Sequence, residues 1–474
     1  MKNSRIVMLI PVGLAAVGAI ILYAWLGSLW PDAANQLQIR LAIPENSLTE
    51  LTDPNAGQVQ GSLVKFDGVP ADIPGSWSQF RGPNLDAISP ETISLAKSWP
   101  EEGPKLLWSV GLGRGYAGAA VRNGRVHVVD YDEKEKADAI RCFSLGDGEE
   151  IWRYSYHIKI KLQHGMSRTI PTVTDKYLIA MGPKCHVTCL DPNTGEFHWL
   201  LDLVRDYGAT VPDWYAGQCP LVEDGKLILG VGGKSLMMAV DCNTGDIIWQ
   251  TPNPKNWLMT HSSVTPVEFA GRRMYVYCAS GGVVGVSAED GRLLWEAPEW
   301  QIKIANVPTP VYVGDGKMFL CGAYNAGSMM LQLSEQGDGI TAEPLFQLSS
   351  KVYGSPQQTP VFYKGHLYAV NSGKELCCLD LEGNVLWTST SAKKFGLGPY
   401  AIADGVIYVL DDDGMLTMAE ATPSDFKQLD QAKVLEGPEA WAPMAFVSGR
   451  LIVRDMNRMV CLDITDQQDA TAEK

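Results

Sequence analysis

The chain has 474 residues, 46% of them hydrophobic, which is enough to bury one large core. Its 39 Lys and Arg against 54 Asp and Glu leave a formal charge of −15, which argues against a nucleic-acid partner because phosphate contacts need clustered cations. No phosphate loop, Gly-x-Ser-x-Gly elbow or His-Glu-x-x-His helix occurs, so no catalytic residue and no metal site is assigned.

Residues Ile6 to Trp30 carry no charge and follow Lys2 and Arg5. A bilayer span takes roughly 20 apolar residues, so 1–30 is expected to be an uncleaved transmembrane helix, a signal-anchor with its N-terminus in the cytoplasm. This places the chain at the cell inner membrane as a single-pass protein with its bulk on the periplasmic side. Residues 31–75 mix Asp, Asn, Gln, Pro and Gly and read as a flexible linker. A lead-in over 76–103 follows, expected to pack on the main domain, and it contains Trp77-Ser-Gln-Phe80-Arg81-Gly82-Pro83-Asn84.

From residue 104 the chain repeats itself. Five windows share small-x-(Asp/Ser)-x-x-(Thr/Asp)-Gly-x-x-x-Trp: Cys142 to Trp152, Cys189 to Trp199, Ala239 to Trp249, Gly285 to Trp295 and the shorter Cys378 to Trp387. Self-similarity of this kind outranks local propensity. A Pro opens the segment at Pro171, Pro220, Pro266, Pro310, Pro360, Pro399 and Pro443, where a strand needs no ladder donor. Tight turns such as Asp224-Gly225 and Asp404-Gly405 then lead into runs rich in Val, Leu, Ile and Tyr. Each unit therefore supplies four short antiparallel strands, which is a propeller blade.

The closing aromatics are read as Trp108, Trp152, Trp199, Trp249, Trp295, Phe346, Trp387 and Phe426. The last unit, Ala442 to Asp463, lacks a fourth strand, and Pro104 to Val110 supplies a lone one. The expectation is an all-β, eight-bladed propeller over 104–465, closed by that N-terminal strand, with a disordered tail over 466–474. Cys142, Cys189, Cys378 and Cys461 share one repeat position and are expected to be small buried residues rather than disulfide partners. Asp411-Asp412-Asp413-Gly414 reads as a solvated turn, since three consecutive carboxylates do not have a calcium loop's alternating spacing.

The segments leading into each innermost strand gather at one mouth of a propeller. Here they carry Arg114, Tyr116, His164, Arg168, Trp214, Tyr215, Gln218, His261, Ser262, Asn306, Tyr353, Gln357, Gln358, Phe395 and Trp441. Of these, Arg114, Tyr116, His164, Arg168, Tyr215, Gln218, His261, Asn306, Gln357 and Trp441 form the candidate ligand or partner mouth, because aromatics beside amides and cations suit a concave site.

At the residues quoted, the repeat resembles the pyrroloquinoline-quinone-type, WD40-like propeller repeat of quinoprotein dehydrogenases and of the propeller lipoprotein in outer-membrane barrel assembly. The resemblance covers about 104–465 and implies that Trp108, Trp152, Trp199, Trp249, Trp295 and Trp387 dock neighbouring blades. The lead-in resembles one found on many bacterial proteins of this type. Because fold does not carry function, three functions are expected in order. The first is a membrane-anchored, non-catalytic scaffold for protein–protein interaction with another envelope or membrane protein, needing no cofactor. The second is a quinone-dependent dehydrogenase with pyrroloquinoline quinone and calcium on the axis. The third is a solute or cofactor carrier.

Overall fold

The computed structural model describes residues 61–161, 166–337 and 339–466. The anchor expected at 1–30, residues 31–60 of the linker, His164 and residues 467–474 of the tail lie outside them. Among the described residues no helix is long and apolar enough to cross a membrane.

Eight antiparallel sheets follow one another, seven of four strands and one of six. The first four-stranded blade is preceded by β1 (Gly61–Lys65), β2 (Ser76–Trp77) and β3 (Lys105–Gly111), and consists of β4 (Ala120–Arg122), β5 (Arg125–Asp132), β6 (Ala137–Ser144) and β7 (Glu150–His157). The other blades run from innermost to outermost strand in chain order, their first strands starting at Thr172, Leu221, Thr265, Val311, Val361, Tyr400 and Ala445. Six of these starts lie within one residue of the prolines that mark the repeat, and Pro443 stands two residues ahead of its strand. The eighth blade has only three strands of its own, and β3 completes it by pairing with Arg458–Asp463, Trp108 opposite Cys461. Both ends of the ring thus share one sheet, which leaves no open edge at the junction.

One register position recurs in every blade. Cys142, Cys189, Ala239, Gly285, Met330, Cys378 and Cys461 stand opposite Trp152, Trp199, Trp249, Trp295, Phe346, Trp387 and Trp108, and a register shift follows each pair. Such a bulge re-aims the outer-strand side chain, and here it turns the aromatic onto the next blade. The ring of Trp108 lies on Gly148, Trp152 on Gly195, Trp199 on Gly245, Trp249 on Gly291 and Phe346 on Gly383, all at positive φ, where an added Cβ would come within 2.4 to 3.0 Å of the ring. Glycine is required there twice over, by backbone and by contact. The Nε1 groups of Trp108, Trp199 and Trp387 also donate to the carbonyls of Leu145, Cys242 and Thr422, each at 2.9 Å. The small residue opposite each Trp makes room for the indole, and all ten cysteines are buried and free.

Three expectations change. Residues 61–65 are not tether: β1 adds to the outer edge of the first blade through β7, Leu63 opposite Tyr154, and Phe66 continues with its ring 5.5 Å from the Arg153 guanidinium. With β2 on the inner edge, that blade has six strands rather than four. Phe426 does not close its blade. The outer strand there is Gln428–Lys433, and Asp430 takes the place opposite Met418, its carboxylate accepting from the Trp99 amide at 2.6 Å. Phe426 instead packs on Trp387, with ring centroids 5.9 Å apart.

Candidate functional site

The mouth is built where the outermost strand of one blade hands over to the innermost strand of the next. A parallel bridge between Gly115 and Ser167, with the Tyr116 amide donating to the Ser167 carbonyl at 2.6 Å, joins two of these connections. That places Tyr116 beside Arg168, whose guanidinium carbon lies 5.2 Å from the tyrosine ring centre, and beside Trp441, stacked on it at 5.0 Å and 26°. Cation, phenol and indole form a cluster in which ring faces meet positive charge.

Each member is held by a hydrogen bond. The Tyr116 hydroxyl donates to the Glu439 carboxylate, and burial followed by this bond pushes its pKa well above the ordinary tyrosine value. Arg168 Nε donates to the Trp214 carbonyl at 2.5 Å. Desolvation of its head lowers its pKa to about 10, with Tyr116, Glu439 and Tyr215 opposing the shift. It remains a cation at neutral pH. Trp441 Nε1 donates to Asp412 Oδ1 at 2.7 Å, and the same oxygen accepts the Leu397 amide at 2.7 Å while Lys374 Nζ stands 3.4 Å from Oδ2. The turn is solvated at Asp413 as expected, but Asp412 directs its carboxylate into these bonds. It organises the tryptophan side of the mouth.

Other predicted members support this cluster from behind. The loop carrying Trp214 and Tyr215 holds both at positive φ, and the Tyr215 hydroxyl pins it by donating to the Lys161 carbonyl at 2.9 Å. His261 Nε2 lies 2.7 Å from the Asp213 carbonyl and so must carry the proton, because a carbonyl only accepts. Gln357 and Gln358 both donate to the Leu397 carbonyl, at 2.9 and 3.1 Å, and Gln358 also donates to that of Trp441 at 3.2 Å.

Three predicted residues stand apart from the cluster. Gln218 is fully buried and clamps Gly230 with a bond in each direction, and Asn306 is buried in the wall, its carbonyl accepting the His261 amide at 3.1 Å. Arg114 pairs with Glu133 at 2.7 Å beside a polar cleft of about 420 Å³ that is also lined by Asp130, Arg141 and Arg153. Glu439 and Asp412 were missed by sequence reading. Their only signal in the sequence is position, one in a connection leading into an inner strand and the other in an acidic hairpin.

Burial, with the nearby Arg168 charge, lowers the His261 pKa to about 4. The unfolded chain therefore takes up the proton first, so this histidine's contribution to stability is present above about pH 6.5 and is lost as pH falls toward 4. Between pH 6.5 and 5 the loss attributable to His261 should be on the order of 2 kcal/mol. A folded His261→Gln variant is expected to lose less stability over that interval, measured by urea unfolding at both pH values. An acid dependence identical to that of the unaltered chain would remove His261 from this role.

No group of three or more His, Cys, Asp or Glu side chains able to hold a metal occurs among the described residues. The sequence profile of the family described as outer membrane protein assembly factor BamB matches residues 136–382, which is more than half of the chain. A protein of that name from Yersinia pestis is 23% identical over 274 residues, spanning 54% of this chain and 65% of the relative, just under two thirds of its length. Among solved structures, BamB from Moraxella catarrhalis superposes with a TM-score of 0.54 at 13% identity, covering 76% of this chain and 99% of the other. The computationally designed Ika8 protein does so at 0.51 and 10% identity, covering 76% and 100%. At such identities the structural likeness concerns the fold alone.

Proposed function

The chain belongs to the family described as outer membrane protein assembly factor BamB, and from that premise we propose that it is a non-catalytic scaffold of the cell envelope. It presents the mouth to another protein of outer-membrane assembly. The apolar stretch 6–30 would tether it to the inner membrane, with the ring on the periplasmic side.

The observation that carries this reading is the cluster of Tyr116, Trp441 and Arg168, with Glu439 and Asp412 holding it. Stacked aromatics beside an arginine are the residue types that dominate binding energy at protein interfaces, and their hydrogen bonds fix them before a partner arrives.

The dehydrogenase reading requires oxygen donors converging on calcium. Here Asp412 is committed to Trp441, Leu397 and Lys374, and Glu439 to Tyr116. The residues at the mouth do not fit the cofactor pair, and no step is assigned through it.

Trp441→Ala and Arg168→Ala should each weaken capture of outer-membrane assembly proteins from detergent extracts by about tenfold or more, the loss of one interface anchor, with melting temperature showing that both variants fold. Undiminished capture by both folded variants would move the interface away from the mouth. Dye reduction that depends on added pyrroloquinoline quinone and calcium would overturn the scaffold reading itself.

A further inference from the structure

The lead-in is unlike a surface strap. Its Trp77 is 1% exposed and its Arg81 7%. Trp77 pairs with Val121 of β4 and packs on Gly82, where a side chain would collide with the indole. Arg81, at positive φ, donates from Nε to the Leu85 carbonyl at 2.9 Å and from Nη2 to that of Asp86 at 3.0 Å, closing the segment into a tight turn. The same guanidinium donates to the carbonyls of Thr359 and Pro360 at 3.1 and 3.0 Å, on the sixth blade. Four carbonyl dipoles thus compensate a cation whose pKa burial lowers to about 10.

The segment reaches every blade from the centre. Ser76 and Trp77 pair with the first blade, and the Ser78 carbonyl accepts the Val173 amide of the second at 2.8 Å. Phe80, Arg81 and Leu85 line a narrow space with Cys219, Val264 and Thr309, at the inner strands of the third, fourth and fifth. Arg81 holds the sixth. The Ala87 carbonyl accepts the Ile402 amide of the seventh at 3.0 Å, and Trp77 meets Phe446 of the eighth at 5.6 Å. The flanks of the segment lie at the end of the channel opposite the mouth, where Pro74 and Glu91 bond Ser448 in the turn after the eighth inner strand and Lys97 pairs with Asp404 in the turn after the seventh.

We propose that residues 76–88 form an axial plug that ties the eight inner strands together and blocks the channel behind the mouth, with Arg81 as its anchor. The Trp-x-Gln-Phe-Arg-Gly-Pro run is then a plug signature: Trp packs on Gly, Gln bonds the Pro carbonyl and Arg grips a distant blade. Approach to the axis is left to the mouth. This goes beyond the scaffold reading and does not depend on what the mouth binds.

Hydrogen exchange on the full chain tests it. In the unaltered protein the amides of Val173 and Ile402, whose acceptors lie in the plug, should be as protected as amides paired within a blade. Arg81→Ala should raise their exchange by about a hundredfold through loss of several charge-assisted bonds, while amides of the outer strands keep their protection. If that variant does not fold, Arg81→Lys, which keeps the charge but lacks the planar fork, should show the same selective loss. Val173 and Ile402 exchanging in the unaltered chain as fast as exposed turn amides would overturn the proposal. So would unchanged protection of both amides in a folded Arg81 variant.

Discussion

Trp152→Ala is expected to destabilise the ring by about 3 to 5 kcal/mol, the range for truncating a large buried aromatic. Trp152 is 1% exposed, lies on Gly195 of the next blade, and has the His127 ring 5.7 Å away. Its indole therefore fills the joint between two blades. Gly195→Ala attacks the same joint from the other side: φ is +75° and the new Cβ would lie 2.7 Å from the indole. It should cost about 1 to 3 kcal/mol. Because the two residues touch, the double variant should be less destabilised than the sum of the singles. Urea unfolding of the four proteins checks this, and strict additivity would mean that the contact contributes nothing.

Deleting residues 105–111 is the second large effect. It removes β3, leaves the last blade with three strands, and exposes the edge of Arg458–Asp463 that β3 covers. It also removes Trp108, whose Nε1 donates to the Leu145 carbonyl in the first blade. One deletion thus opens both the sheet and the joint where the ring ends meet. Unfolding should lose its single cooperative transition, and the exposed edge should promote association between chains. Calorimetry and light scattering at several concentrations measure both. A deleted chain that melts as one sharp monomeric transition at the original temperature would exclude closure by β3.

The repeat itself was legible in the sequence. A Trp opposite a small residue in six blades, a Pro at seven of the eight inner strands and a Gly at positive φ under the aromatic are local demands of backbone geometry and packing that recur from blade to blade, so blade number and closure follow from counting. The outer strand of the seventh blade broke the pattern, because Asp430 occupies the aromatic's place and Phe426, two residues before that strand, imitated it. A five-residue strand such as β1, with only Leu63 half-buried, carries too little periodicity to be seen before its partner β7 is known.

That Tyr116, Arg168 and Trp441 lie in connections at one end of the ring was legible; that they touch was not. Composition could not show that Glu439 and Asp412 hold them, or that Gln218 turns into the wall to clamp Gly230. These contacts join residues up to 323 positions apart, and only the closed ring brings them together. The lead-in shows the same limit. Its motif stood out in the sequence, but a cation compensated by carbonyls of its own turn and of the sixth blade leaves no sequence pattern at those acceptors, because a backbone carbonyl has the same chemistry in every residue. The blade, its repetition and the closure of the ring are thus written in the chain, because they rest on periodic side-chain demands. The tertiary structure alone decided which polar groups meet at the mouth and what fills the axis, because those pairings depend on where distant backbone atoms come to lie.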